Sequence, residues 1–237
     1  QHLSESAELL HNKNLPDVDI AVLEVAYIDR DGSIVPTTSV GNSVTFASLA
    51  KKVILEINTS VHENVYGIHD IYQAEAYPHR NVIPIVAPWN KIGRRSIPLN
   101  PDKVAAIVFT DKKDSPADIA APDEKTINIA KHILQFFEEE VKLGHLTDRL
   151  LPIQAGIGKV ANAVLTGFLD SNFYDLTMFS EVLQDSAFDL MDAGKLSFAS
   201  ASSVTVSKDC YDRVFDNLQK YRDKFVLRPQ NISNTPG

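Results

Sequence analysis

The sequence predicts an α/β protein with layered, mostly parallel sheets and flanking helices. Near-continuous apolar runs at residues 18–28 and 104–110 are typical of strands buried on both faces. Strand-like and helix-like segments then alternate through the second half, and such succession implies parallel pairing with right-handed crossovers. A charged, aperiodic break at residues 111–118 separates the halves. We therefore expect two α/β domains, residues 1–117 and residues 118–237.

The first predicted domain combines a hairpin, a short helix and a long loop. The run at 18–28 turns at residues 29–32 and returns as a hairpin strand at 33–36. A short helix is predicted at 44–50 and a strand at 52–58. The proline-rich stretch between residues 59 and 101 lacks periodicity, which is typical of a functional or interface-covering loop.

The second predicted domain begins with the helix that the sequence pattern indicates most clearly. Apolar residues at spacings of 3, 4, 3 and 4 define one face of it: Ile127, Ala130, Leu134, Phe137 and Val141. Asp123 and Glu124 favour its start and Gly144 its end. The remaining segments predict strands at 150–155, 176–179, 203–206 and 225–228, and helices at 160–169, 182–193 and 208–224.

Composition excludes several classes of protein. The chain holds 23 basic and 31 acidic residues, a net charge of −8, which argues against non-specific nucleic-acid binding. No apolar run approaches the roughly 20 residues that span a bilayer, and the start lacks a signal-peptide pattern. Cys210 is the single cysteine, so no intrachain disulfide can form and a reducing compartment is expected. We expect the cytoplasm, or mitochondria if the source is eukaryotic, with no membrane or nucleic-acid partner.

A glycine-containing segment, residues 154–164, follows a predicted strand. Gly156 and Gly158 lack a Cβ, so backbone N–H groups can approach an anionic or carbonyl oxygen there, and the helix dipole adds positive charge. The same spacing, with Ala161, satisfies a loosened dinucleotide fingerprint, and Asp175 stands about 20 residues on as a candidate ribose partner. A tight turn without a ligand is the other interpretation.

A second segment, residues 179–186, contains a candidate nucleophile. Ser180 is a suitable N-cap and Glu181 would occupy the first helical turn, where amide dipoles stabilise a carboxylate. Glu181 is thus either a dipole-favoured surface acid or an ionised nucleophile. Elsewhere, His69 and Asp70 are expected to structure a loop, and acidic neighbours disfavour a thiolate at Cys210. The histidines show no metal-ligand spacing.

Together these segments resemble the acetyl-CoA hydrolase/transferase family, a branch of the class I CoA-transferases. The resemblance rests on six stretches that follow the family's order: residues 21–25 with 31–36, 39–43, 67–71, 120–124, 154–164 and 180–185. It implies a class I CoA-transferase (NagB/RpiA-like) fold. The chain would then contain the C-terminal part of the first α/β domain and the first part of the second, which carries the nucleophile.

The resemblance implies a mechanism through a glutamyl-CoA thioester. Glu181 matches the family's attacking glutamate. The loop that contacts CoA and supplies an oxyanion-binding amide matches Gly156, Ile157, Gly158, Lys159 and Val160, with Ile157 as the expected donor. Asn234 matches an asparagine that helps to orient CoA.

Two departures from the family pattern affect these expectations. Many members carry an arginine after the strand ending at Thr110, where it pairs with the acyl carboxylate, whereas this chain has Lys112, Lys113 and Ser115. Lys113 is the substitute, although lysine lacks the bidentate fork of arginine. Family members also continue past both ends, where a further oxyanion donor lies, so we expect a fragment with weak or absent turnover.

The function implied is transfer of CoA between a short-chain acyl-CoA and a carboxylate such as acetate, propionate or succinate. No permanently bound cofactor or metal is expected, and the family likeness implies a homodimer. Hydrolysis of the acyl-CoA is the alternative within the family, and water access would decide between them. A dinucleotide-dependent oxidoreductase and a non-catalytic α/β fragment are the alternatives of other classes.

Overall fold

The computed structural model describes residues 3–75, 78–114 and 121–234. Its contacts group the chain into two compact units, residues 1–114 with 226–237 and residues 115–225. The predicted boundary between residues 117 and 118 lies outside the described residues, so that boundary stays a prediction. Residues 226–237, which the sequence analysis counted with the second domain, group with the first unit.

The first unit is built around one four-stranded sheet. Its elements are α1 Ser6–His11, β1 Ile20–Ile28, β2 Ile34–Pro36, α2 Ser43–Leu49, β3 Lys52–Asn58 and β4 Val104–Thr110. The strand order is β2-β1-β3-β4, with β1, β3 and β4 parallel and the β2 hairpin antiparallel. Between β3 and β4 the described residues hold only short 3₁₀ turns and isolated bridges, as the aperiodic sequence predicts.

Burial in this sheet is one-sided. Leu23 and Leu55 point into the core, whereas Ile20 and Val22 on the opposite face are 61% and 63% exposed. At the sheet edge, Phe109 of β4 is 70% exposed. The prediction that the first strand and residues 104–110 are buried on both faces is therefore wrong. A continuous apolar run fixes the strand, but it does not fix how many of its faces are covered.

The second unit contains helices packed around short parallel strands. Its elements are α3 Glu124–Lys142, α4 Lys159–Gly167, β5 Leu176–Phe179, β6 Val182–Leu183, α5 Asp185–Asp192, β7 Leu196–Ala201, β8 Ser203–Val204 and α6 Lys208–Phe215. Strand β9, Phe225–Leu227, begins at the last residue of this unit, and α7, Gln230–Ser233, groups with the first unit. One sheet has the order β5-β7-β9, with β5 and β7 parallel, and β6 pairs in parallel with β8. The predicted α/β class is confirmed.

Helix α3 begins as its sequence predicts. Asp123 accepts a hydrogen bond from the Thr126 amide at 2.9 Å, and the Thr126 hydroxyl accepts one from the Asp123 amide at 2.9 Å, which completes a capping box. Helix α4 packs against α3. A Cβ at Gly167 would lie 2.7 Å from Leu134 Cδ1, so glycine permits this close approach.

Four local predictions in this unit are wrong. Residues 150–155 form only one bridge, at Ile153, and the strand at residues 196–201 was missed. The helix predicted at 182–193 begins at residue 185, because Val182 and Leu183 pair with β8 instead. The helix predicted at 208–224 ends at Phe215, and a 3₁₀ turn follows.

Within the described ranges, no helix combines the length and apolarity needed to cross a membrane.

Candidate active site at a strand edge of the second unit

Two segments leave the same edge of the β5 sheet. Ile153 forms a parallel bridge with Met178 of β5, and residues 154–164, the glycine segment, follow it directly. β5 ends at Phe179, and Ser180 and Glu181 come next. Because the strands run parallel, both segments lie at carboxyl ends, which is where ligands bind in open α/β sheets.

Side chains next to Glu181 hold the glycine segment. The hydroxyl of Ser180 donates to the carbonyl oxygen of Ala155 at 2.9 Å, and the Gln184 amide donates to the carbonyl of Gly156 at 3.1 Å. Both side chains are buried, with 0% and 4% exposure. Leaving a buried side-chain donor without a partner is costly, so these bonds hold the two segments against each other.

Glu181 itself lies in a bend between two strands. It is half-buried, and its carbonyl oxygen accepts hydrogen bonds from the amides of Ser202 and Ser203 at 2.8 and 3.2 Å. The prediction that Ser180 caps a helix with Glu181 in its first turn is wrong, because residue 184 is the N-cap of α5. Burial and strand pairing of Val182 override the helical pattern, and Glu181 lies outside any helix N-terminus.

The two glycines of the segment serve different needs. Gly158 has φ of +133° and is the N-cap of α4, so the turn itself demands glycine. Gly156 has no positive φ, and a Cβ built there meets nothing within 4 Å. The missing side chain at residue 156 therefore leaves free space in front of the backbone without serving the turn.

The neighbouring residues of the segment are accessible. Ile157 is 71% exposed, and Val160 at the start of α4 is exposed as well. The ammonium of Lys159 lies 3.6 Å from a carboxylate oxygen of Asp123, the N-cap of α3. A mostly apolar cavity of about 770 Å³ adjoins the segment and is walled by α3, α4 and residues 146–158.

The other two predicted site residues belong to the first unit. Lys113 lies in the exposed loop that follows β4. Asn234 is the C-cap of α7, and its side-chain oxygen is buried with no hydrogen-bond partner among the described residues. The structure thus brings Glu181 together with the glycine segment in one unit, and it describes Lys113 and Asn234 within the other.

Asp175 does not suit the dinucleotide alternative. It stands directly before β5, at the amino end of the strand, where its carboxylate lies 3.2 Å from the guanidinium of Arg149. A ribose partner is expected at the carboxyl ends, beside the glycine turn. Sequence spacing alone could not separate the two ends of the strand.

His69 and Asp70 are buried, and both hold neighbouring segments of the first unit in place. His69 is 1% exposed, its Nε2 lies 2.9 Å from the Thr37 carbonyl, and burial lowers the pKa of its imidazole to about 4. Asp70 forms a fully buried ion pair with Arg228 and accepts hydrogen bonds from the amides of Ile92 and Gly93. These contacts fit the expected loop-structuring role.

Cys210 is buried, and desolvation raises the pKa of its thiol to about 11, so it is not a nucleophile at neutral pH. No group of three or more His, Cys, Asp or Glu residues within the described ranges is arranged to hold a metal ion.

The fold matches that of a solved structure. A crystal structure of 4-hydroxybutyrate CoA-transferase from Porphyromonas gingivalis superimposes with a TM-score of 0.67 at 19% identity, covering 99% of this chain and 50% of that chain. At that identity the likeness shows the fold alone.

Sequence comparison then specifies the family. Residues 1–109 match the acetyl-CoA hydrolase/transferase N-terminal domain. The chain is 39% identical over 235 residues to the succinyl-CoA:acetate CoA-transferase of Clostridium kluyveri, covering 99% of this chain and 44% of the relative. It is 42% identical over 219 residues to an acetyl-CoA hydrolase of Candida glabrata, covering 92% of this chain and 41% of the relative. The predicted membership of the acetyl-CoA hydrolase/transferase family is confirmed, and the chain spans less than half the length of these relatives.

Proposed function

We propose that the protein transfers CoA between a short-chain acyl-CoA and a carboxylic acid, with Glu181 as the nucleophile. The observation that carries this proposal is the pair of hydrogen bonds from Ser180 and Gln184 to the carbonyls of Ala155 and Gly156. They hold the residues on either side of Glu181 against the backbone that would receive a thioester. The name of the Clostridium kluyveri relative supports the same chemistry.

The reaction runs in two balanced halves. The Glu181 carboxylate attacks the thioester carbonyl, the C–S bond breaks, and an acyl-glutamyl anhydride and CoA thiolate result. The thiolate then attacks the glutamyl carbonyl and releases the first carboxylate, which leaves a glutamyl-CoA thioester. A second carboxylate reverses these steps and departs as a new acyl-CoA.

Each step develops negative charge on a carbonyl oxygen. The amide of Ile157, in the exposed bend between the two glycines, is the proposed donor to that oxygen, and a preorganised amide contributes several kcal/mol. A carboxylate is a weak nucleophile, so positioning supplies much of the remaining rate. Binding of the CoA tail by Lys159 and Val160 would contribute to that positioning.

Hydrolysis of the acyl-CoA is the second candidate, because the Candida glabrata relative is named an acetyl-CoA hydrolase. The half-buried position of Glu181 keeps water within reach of the intermediate. Release of free CoA from acetyl-CoA with no carboxylic acid present measures this outcome. A rise in acyl exchange on adding acetate or succinate measures the transferase outcome.

Covalent trapping tests the proposal. The protein is incubated with acetyl-CoA, reduced with borohydride and digested, and the modified glutamate is located by mass spectrometry. We expect the label on Glu181 and its loss in Glu181→Gln. The matched control is Glu138→Gln, which changes a glutamate of α3 in the same unit. We expect Glu181 to be labelled in this variant as in the wild type.

An unlabelled Glu181 in folded wild-type protein would count against the proposed nucleophile. Light scattering after size exclusion tests the homodimer that the family likeness implies.

A further inference from the structure

Asn58, the last residue of β3, has every polar atom of its buried side chain engaged. Its amide nitrogen donates to Glu24 Oε1 at 2.6 Å and to the carbonyl oxygen of Lys112 at 2.7 Å. Its oxygen accepts from the amide and hydroxyl of Ser60 at 3.0 and 2.7 Å, and from the Lys112 amide at 3.4 Å. Asn58 is 2% exposed, so its own end of each of these bonds is buried.

The loop after β4 is therefore fixed on both sides of Lys113. Asn58 binds both backbone polar atoms of Lys112, and the hydroxyl of the buried Thr38 donates to the carboxylate of Asp114. Lys113 lies between these two fixed neighbours and remains exposed.

This arrangement lies at the carboxyl edge of the first unit's parallel strands. Asn58 and Thr110 are register partners at the ends of β3 and β4. Loops at this edge are where α/β sheets bind ligands. A loop held at two points presents a side chain in one direction, which a recognition site for a small anion requires.

We propose that Asn58 is a positioning residue for the acceptor acid: it fixes the loop at residues 111–114 so that the Lys113 ammonium meets the substrate carboxylate. The inference rests on the proposed function and on the expectation, implied by the resemblance, that Lys113 takes the place of the family's arginine. Asn58 acts only through Lys112 and does not touch the substrate. A lysine contributes a point charge on a flexible stem, and fixing the backbone at residue 113 limits the region that its ammonium can reach.

Competitive labelling of Lys113 tests the inference. Wild-type protein is treated with a trace of an amine-acylating reagent at increasing succinate concentrations, and acylation at residue 113 is measured by tandem mass spectrometry, with Lys51 as internal reference. We expect succinate to protect Lys113 and not Lys51. In Asn58→Ala the half-protecting succinate concentration rises about tenfold or more, because misplacing a binding group weakens its contact steeply.

Two further variants separate positioning from folding. Ser60→Ala removes a hydrogen bond to Asn58 without touching residue 112, and we expect it to match the wild type. Thr38→Val releases only Asp114, and we expect a smaller rise in the half-protecting concentration. If Asn58→Ala does not fold, Thr38→Val becomes the deciding variant. Protection of Lys113 by succinate that equals the wild-type value in Thr38→Val then overturns the inference.

Failure of the inference and failure of the proposed function give different results. Unprotected Lys113 in folded wild-type protein, or protection unchanged in Asn58→Ala, overturns the inference even where acetyl-CoA still labels Glu181. Loss of protection in Asn58→Ala without any label on Glu181 supports the positioning role and contradicts the proposed nucleophile.

Discussion

The hydroxyl of Ser180 donates a hydrogen bond to the carbonyl oxygen of Ala155, 25 residues earlier in the chain. It ties the residue before Glu181 to the residue before Gly156. Two segments that are separated in sequence, and that are each ambiguous alone, thus become parts of one site. The parallel bridge between Ile153 and Met178 makes this possible, because it brings both segments out at the same strand edge.

Gln184→Ala tests whether the hydrogen bond between Gln184 and Gly156 supports the attack by Glu181. The change removes the 3.1 Å hydrogen bond to the Gly156 carbonyl and frees the bend to move away from Glu181. We expect the rate of Glu181 labelling by acetyl-CoA to fall about 10- to 100-fold with the nucleophile intact. Gln135→Ala, at an exposed position of α3, is the matched control. Equal labelling rates in both variants would exclude a positioning role for Gln184.

Replacing Gly158 and Gly156 one at a time with alanine distinguishes an effect on stability from an effect on ligand binding. Gly158→Ala places a side chain at φ of +133°, and we expect a lower melting temperature. Gly156→Ala meets no neighbour within 4 Å, so the melting temperature is expected to stay within a few degrees of wild type. A methyl group would nevertheless occupy the space in front of the bend, and we expect the acyl-CoA concentration that half-saturates labelling of Glu181 to rise about tenfold or more. Unchanged kinetics in Gly156→Ala would show that no ligand uses this space.

The sequence predicted those parts of the fold that depend on local patterns. The start of α3 at Asp123 and the turn at Gly158 follow from residue types at particular positions. The strand at residues 196–201 was missed, because Ala199 and Ala201 carry little strand propensity and are buried by pairing instead.

The candidate site was predictable only in part, for a related reason. Glu181 and the glycine segment could be found by resemblance to a family. The surroundings of Glu181 could not, because Val182 and Leu183 pair with β8, whose residues lie 21 positions later in the chain, beyond any local window. Asn58 gave no signal beyond being a polar residue at a strand end. Its importance arises from bonds to Glu24 and Lys112, which are distant in sequence.

The buried ion pair in the first unit predicts a large stability effect. Asp70→Asn keeps the shape of the side chain but leaves the Arg228 guanidinium buried without its counter-charge. We expect the free energy of unfolding to fall by about 3–5 kcal/mol in urea titrations. The double variant Asp70→Asn with Arg228→Met removes both charges, and its loss is expected to be smaller than the sum of the single losses. An additive double variant would show that the pair is not coupled.

His69 predicts a pH dependence of stability. Burial lowers the pKa of its imidazole to about 4 in the folded protein, whereas an unfolded histidine titrates near about 6.5. As the pH falls below about 6.5 the unfolded chain binds a proton that the folded chain refuses until about pH 4, so stability is lost across that window. The difference at about pH 5 amounts to about 2 kcal/mol.

His69→Gln removes this contribution while a side-chain amide can still reach the Thr37 carbonyl. Urea unfolding of both proteins at about pH 7.5 and pH 5 provides the measurement. We expect the wild type to lose more unfolding free energy than His69→Gln between these two conditions, because other titrating groups contribute to both proteins alike. Parallel losses in the two proteins would mean that the His69 imidazole accepts its proton in the folded state as readily as in the unfolded chain, which its burial opposes.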